Sequence, residues 1–110
     1  MARRREEEEA EELKKVLCEA AGMELSGHAK RLSRIANVID PFYVAEILRS
    51  MYSWADQAED VCGCSGVKEL VREFDEAIED WIIEKEEDAQ RKVEELAKEI
   101  TEKLKECKLI

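Results

Sequence analysis

The sequence predicts an all-α fold, an antiparallel bundle of four helices that forms a single domain over residues 1–110. Charged residues make up 42% of the chain and apolar residues 45%, a balance that is too apolar for a disordered chain. One proline and four glycines are too few turn residues for a sheet protein. Apolar residues recur at steps of three and four along most of the chain, which is the spacing of one helix face.

The first part of the chain predicts two helices. The first spans residues 2–21, and Gly22 is placed to end it. Its buried face is expected to consist of Ala10, Leu13, Leu17 and Ala20. A second, short helix is predicted from Ser26, a favourable N-cap residue, to Ile39.

The clearest helix boundary in the sequence is Asp40-Pro41. Aspartate is a good N-cap, and proline at the first helical position loses only an amide hydrogen that has no helical partner. A third helix is therefore predicted from Pro41 to about Val61, followed by a tight loop in which Ser65 can cap the next helix. Its inward positions are expected to be Val44, Ile47, Leu48, Met51, Trp54, Ala55 and Ala58.

The last part of the chain, residues 67–107, has no glycine or proline and carries two apolar stripes. The first stripe runs from Val67 to Ile82 and the second from Ala89 to Cys107, and the five residues 84–88 between them are all charged. This pattern predicts a very long fourth helix or a break near residues 84–88 that creates a fifth. The two stripes are expected to belong to separate helical assemblies.

The cysteines form an even set and are disulfide candidates: Cys18, Cys62, Cys64 and Cys107. Cys62 and Cys64 are too close in sequence to be expected partners, so each is expected to pair elsewhere or stay free. Cys18 and Cys107 could meet if the first and last helices run parallel. A metal or redox role for the cysteines, with His28 as a further zinc ligand, is an alternative, but the C-x-C spacing is unusual for zinc.

The net charge of −10 argues against binding to nucleic acid or to a membrane surface, because both interactions depend mainly on Lys and Arg. No apolar run reaches the length of a membrane span, and the N-terminus has no targeting signal, so a soluble protein is expected. His28 is the single histidine and no local motif sets a nucleophile beside it. The expectation is a protein that is not an enzyme and that uses no metal or cofactor.

Composition divides the chain into a middle and two flanks. All six aromatic residues lie between Phe42 and Trp81, whereas residues 5–21 and 84–106 consist almost entirely of Glu, Lys, Leu, Ala, Val and some Arg. These flanks resemble those of computationally designed helical proteins, here placed around a natural-like helix-turn-helix. The resemblance implies a scaffold that holds the middle segment in place.

The function predicted for this scaffold is to present the helix-turn-helix of about residues 26–61 to a protein partner such as a receptor or an antibody. This segment is locally basic on an acidic chain, and it contains Tyr, Trp and Arg, the residues that dominate binding hot spots. The expected contact residues are Lys30, Arg31, Arg34, Asn37, Phe42, Tyr43, Arg49 and Tyr52. The alternative is a purely structural designed bundle with no ligand.

Residues 32–40, which read LSRIANVID, resemble the groove-binding death-motif helix of pro-apoptotic proteins. The family's pattern is a leucine, an apolar residue three positions later, a small residue, an acid and, two positions on, a final apolar residue, and Leu32, Ile35, Ala36 and Ile39 match it. Asn37 stands where that family has an aspartate, and His28 replaces its first apolar anchor. The resemblance implies a groove-bearing helical protein as the partner.

Overall fold

The computed structural model describes residues 2–110, with side chains from residue 5 onward. The helices are α1 (Ala2–Ile35), α2 (Pro41–Asp56), α3 (Val67–Ile82) and α4 (Ala89–Glu106), and α2 continues into a π-helical turn at Gln57–Val61. The described residues contain no strand, so the prediction of an all-α bundle is confirmed. Within the described part of the chain, no helix combines the length and apolar character that crossing a membrane requires.

The first helix differs from its prediction, because α1 is one helix of 34 residues rather than two. Gly22 and Ser26 both lie inside it, and the Ser26 hydroxyl donates to the carbonyl of Met23 at 3.3 Å instead of capping a new helix. Gly22 is buried against the C-terminal segment, where an added Cβ would lie 2.8 Å from the carbonyl carbon of Leu109. This glycine permits a close approach between two segments and does not end the helix.

The N-terminal half of α1 projects beyond the bundle. A helix of 34 residues is about 51 Å long, whereas each of the other three helices is about half that length. Residues 5–16 are all exposed, and Leu13 remains 61% exposed. The predicted buried face of the first helix is therefore wrong at Ala10 and Leu13, while Leu17 and Ala20 are half-buried.

Helix α2 matches its prediction closely. Oδ1 of Asp40 accepts a hydrogen bond from the amide of Phe42 at 2.8 Å, and Pro41 occupies the first turn. Of the expected inward positions Trp54 is half-buried, and the others are fully buried: Val44, Ile47, Leu48, Met51, Ala55 and Ala58. The cap and the apolar stripe together explain where this helix begins and which face it buries.

The N-terminus of α3 is capped differently from the prediction. Gly66, not Ser65, is the N-cap residue, and its φ of 94° is one that glycine adopts readily. Oε1 of Glu59, in the π-helical turn, accepts from the amide of Gly66 at 2.8 Å and from that of Lys68 at 3.4 Å. A carboxylate at this position satisfies free amides and complements the helix dipole.

The helix ends after Ile82 and a new one begins at Ala89. The interruption includes the charged residues 84–88, where a break was predicted as one possibility. Lys85 has a positive φ of 54° in the turn between the helices. Both apolar stripes then enter one hydrophobic core, which includes Phe74 and Ile78 of α3 and Ile100 and Leu104 of α4. The prediction of two separate assemblies is wrong, because folding back at the charged turn buries one stripe together with the other.

Two disulfides, Cys18–Cys62 and Cys64–Cys107, join α1, the loop before α3 and the end of α4. The prediction that Cys62 and Cys64 do not pair with each other is confirmed, since each pairs with a different cysteine, and the possible pairing of Cys18 with Cys107 does not form. Cys64 is fully buried. Both bridges lie at the end of the bundle from which α1 projects, and they fix the three segments to one another there.

Candidate protein-binding groove

An open groove of about 810 Å³ lies at the opposite end of the bundle from the disulfides. It runs between α2 and α3 and is bordered by the turns 36–40 and 83–88; it is called the α2–α3 groove below. Its main apolar lining residues are Ile39, Val44, Leu48, Ile78, Trp81 and Ile82. The volume and the predominantly apolar lining are typical of a binding site rather than of a packing defect.

The groove exposes apolar surface around the last turn of α3. Trp81 and Ile82 are only half-buried, and Ile83, just after the helix ends, is 65% exposed. Val38 and Phe42, in and after the turn that borders the groove, are 74% and 84% exposed. Exposed apolar side chains that gather at one end of a small domain are typical of an interaction surface.

A hydrogen bond crosses from α2 to α3 at the groove wall. The hydroxyl of Tyr52 donates to Oδ2 of Asp75 at 2.6 Å. Burial, together with the bond to the Asp75 carboxylate, raises the pKa of Tyr52 above its ordinary value. This bond joins the two helices that form the groove.

Tyr52→Phe is expected to lower the free energy of unfolding by about 1–2 kcal/mol at neutral pH, because Asp75 then keeps its partly buried charge without a donor. A raised pKa means that the bond stabilises the fold fully below the pKa of an unfolded tyrosine, about 10, and that this stabilisation is lost as the pH rises further. Urea unfolding between neutral and strongly alkaline pH should show this decline for the wild type and less of it for the variant.

Tyr43→Phe is the matched control, since Tyr43 lies on the same helix but is 49% exposed. We expect its unfolding curve to overlay that of the wild type at neutral pH. Equal stability of the Tyr52→Phe variant and the wild type would contradict a stabilising role for the bond.

The rim of the groove is predominantly acidic. Arg49 and Lys85 face four carboxylates around the groove, those of Asp75, Glu79, Glu86 and Glu87. The negative charge of Asp75 raises the pKa of Glu79, with burial and the neighbouring carboxylates adding to the effect. Several carboxylates around one groove favour a positively charged binding partner.

The eight residues predicted to contact a partner lie in three places. Asn37, Arg49 and Tyr52 line the α2–α3 groove. Lys30 and Arg34 line a second, smaller groove between α1 and α4. The other three, which line neither groove, are exposed: Arg31, Phe42 and Tyr43. They therefore do not line one groove, and Tyr52, expected to contact a partner, is half-buried.

The groove wall contributed by α3 was missed from the sequence. A signal for it exists in Trp81-Ile82-Ile83, because three consecutive apolar residues cannot all lie on one face of a helix. At least one of them must remain partly exposed at the end of α3.

The segment that resembles a death-motif helix does not present its leading apolar residue to solvent. Leu32 is fully buried and Ala36 is 2% exposed, so this side of the segment packs into the protein's own core. Binding by that mode would require the bundle to open.

The alternative site built on His28 and the cysteines is not assembled in the described chain. Nε2 of His28 lies 3.1 Å from Oε2 of Glu24, one turn earlier on α1. All four cysteines are used in the two disulfides, so zinc binding through thiolates would first require their reduction.

Comparison of the chain with family models, with curated proteins and with solved structures finds no match.

Proposed function

We propose that this protein is a non-enzymatic binding module whose α2–α3 groove receives an amphipathic helix of a protein partner, with apolar anchor residues and flanking Lys or Arg. The observation that supports the proposal best is the combination of an apolar floor with an acidic rim. Apolar anchors would bury Trp81, Ile82 and Ile83. Basic flanking residues would meet the carboxylates of Glu79, Glu86 and Glu87.

The dimensions of the groove suit this occupant. Its α2 wall runs from Pro41 to Tyr52, which is about 18 Å of helix. A bound helix with anchors at positions i, i+4 and i+7 places its outer anchors about 10 Å apart. The wall is therefore long enough for two or three anchors, the number that helix-in-groove recognition uses.

A protein partner is still expected, but its proposed binding site is the α2–α3 groove and not the helix-turn-helix of residues 26–61. Of the basic side chains first expected to contact the partner, Arg49 lines the α2–α3 groove, Lys30 and Arg34 line the other groove, and Arg31 lines neither. Of the two grooves, the α2–α3 groove has the more apolar lining. A designed origin, suggested by the composition of the flanks, fits a bundle that holds this groove open. Of the two flanks, α4 would then support the groove, because residues 5–16 of the N-terminal flank are exposed and project beyond the bundle.

The purely structural alternative predicts no binding, and a model peptide separates the two functions. The probe is a helical peptide of about four turns made of Leu and Lys, compared with its Leu and Glu counterpart. Binding is followed through the fluorescence of Trp81 in a Trp54→Phe background, because Trp81 lines the groove and Trp54 does not. We expect the Leu–Lys peptide to bind and the Leu–Glu peptide to bind at least about tenfold more weakly.

Ile83→Asp is expected to weaken binding of the Leu–Lys peptide by about tenfold or more, because it places a charge on the apolar surface that the anchors must cover. Val61→Asp adds the same charge at a residue that is 38% exposed outside the groove. Binding driven by net charge alone would strengthen in both variants, and that result would contradict the proposal. Absence of binding by the wild type would favour the structural alternative.

A further inference from the structure

A second apolar surface lies on the side of α1 that faces away from the core. Leu13, Val16, Ala20, Met23 and Gly27 follow one another at steps of three, four, three and four residues, which is the spacing of a coiled-coil seam. Leu13, Val16 and Met23 are 61%, 56% and 69% exposed. The side chains of α1 that enter the core, including Ala21, Leu25 and Ala29, lie on the opposite side of the helix. These five positions are called the α1 outer stripe.

The stripe leads directly into the groove between α1 and α4. Lys30 and Arg34 continue its spacing after Gly27 and line that groove, which has a volume of about 450 Å³. The charged lining residues are Lys30, Arg34, Lys98 and Lys105 against Glu94 and Glu102. The α1–α4 groove is therefore net basic, although the chain as a whole carries a charge of −10.

The chain itself contains a helix that suits this basic groove. The projecting half of α1 includes Glu6, Glu7, Glu8, Glu9, Glu11 and Glu12, and all six are exposed. Glu9 precedes Leu13 by four residues and so lies on the line of the α1 outer stripe. An acidic helix with an apolar seam and a basic groove that continues the same seam are complementary in charge.

We infer that two copies of this chain pair through their α1 outer stripes in an antiparallel arrangement, so that the acidic projecting half of each α1 lies in the basic α1–α4 groove of the other. One such register sets Val16 and Met23 opposite small residues and sets a negative charge opposite a positive one. It places Val16 opposite Gly27 of the second copy and Ala20 opposite Met23 of the second copy. It also places Leu13 against the aliphatic part of Lys30, and Glu9 against Arg34, of the second copy.

A parallel pairing does not have these properties. It sets each residue opposite its own counterpart, so that Glu9 meets Glu9 while Lys30 meets Lys30 and Arg34 meets Arg34. It also sets large residues opposite large ones and small residues opposite small ones across the seam. In the antiparallel register the helices overlap from residue 9 to residue 34, a length of about 38 Å.

A charge exchange tests the register. Sedimentation equilibrium of the wild-type chain over a concentration series should show a mass that rises to twice that of the monomer. Glu9→Arg and Arg34→Glu should each weaken the dimer by about tenfold, and the double variant should regain most of the wild-type affinity because the opposite charges again face each other. Loss without recovery in the double variant would overturn the antiparallel register.

Val16→Asp tests the stripe itself, because Val16 is exposed in the monomer and its replacement leaves the core unchanged. We expect this variant to stay monomeric with unchanged helical circular dichroism and to retain binding of the Leu–Lys peptide. Ile83→Asp is the reciprocal control, which should dimerise normally. A wild-type chain that is monomeric at a concentration on the order of 1 mM, or a dimer that Val16→Asp does not weaken, would overturn the inference.

Discussion

Replacing both Cys64 and Cys107 by alanine is expected to lower the free energy of unfolding by about 4 kcal/mol. The bridge joins residues 43 positions apart, and opening a loop of this length releases an unfolded-state entropy of about that size. Cys64 is also fully buried, so its truncation removes packed sulfur atoms from the core as well. The bridge fixes the end of α4 to the loop that precedes α3, and its loss should loosen both.

Guanidinium chloride unfolding measures this effect, with the Cys18→Ala, Cys62→Ala pair as the matched control. That bridge joins residues 44 positions apart, so its entropy contribution is nearly equal, but both of its cysteines are only half-buried. We therefore expect the Cys64–Cys107 variant to lose more stability than the control. Equal losses would assign the whole effect to the unfolded chain, and a loss below about 1 kcal/mol would contradict the loop-closure argument.

The elements of the fold that were predicted correctly are those with a local chemical cause. Asp40 and Pro41 fix the start of α2 through a side-chain cap and a preset φ, and both act within a few residues. The sequence alone did not decide whether the helix breaks between α3 and α4, because a fully charged run is compatible with either a solvated helix or a turn. Burial of both apolar stripes in one core settles it, and this depends on residues distant in sequence.

The groove was less predictable than the fold for the same reason. Aromatic and basic residues of residues 26–61 suggested one binding surface, but helix geometry divides them among different faces of α1 and α2. Asp75 and Trp81 come from α3 and meet α2 only after the chain has folded back. A single sequence shows which side chains are suited to binding, whereas tertiary packing decides which of them share a surface.

Gly22→Ala is expected to destabilise the protein by about 2 kcal/mol, although alanine is the better helix former. Gly22 lies within α1, where an added methyl group would meet the carbonyl oxygen of Leu109 and would lie 2.8 Å from Cγ2 of Ile110. The opposing segment has little freedom to move. Leu109 donates its amide to the carbonyl of Leu104 at 2.9 Å, and Cys107 is held by its disulfide.

Gly27→Ala should change stability in the opposite direction, which makes it the decisive control. Gly27 lies in the same helix, and no heavy atom of the described chain outside its own helical neighbourhood lies within 4 Å of an added Cβ. Helix propensity then acts alone and should stabilise the fold by about 0.5–1 kcal/mol. Thermal unfolding at low protein concentration, where pairing through the α1 outer stripe does not contribute, measures both variants. A higher melting temperature for both variants would contradict the close packing of α1 against the C-terminal segment at Gly22.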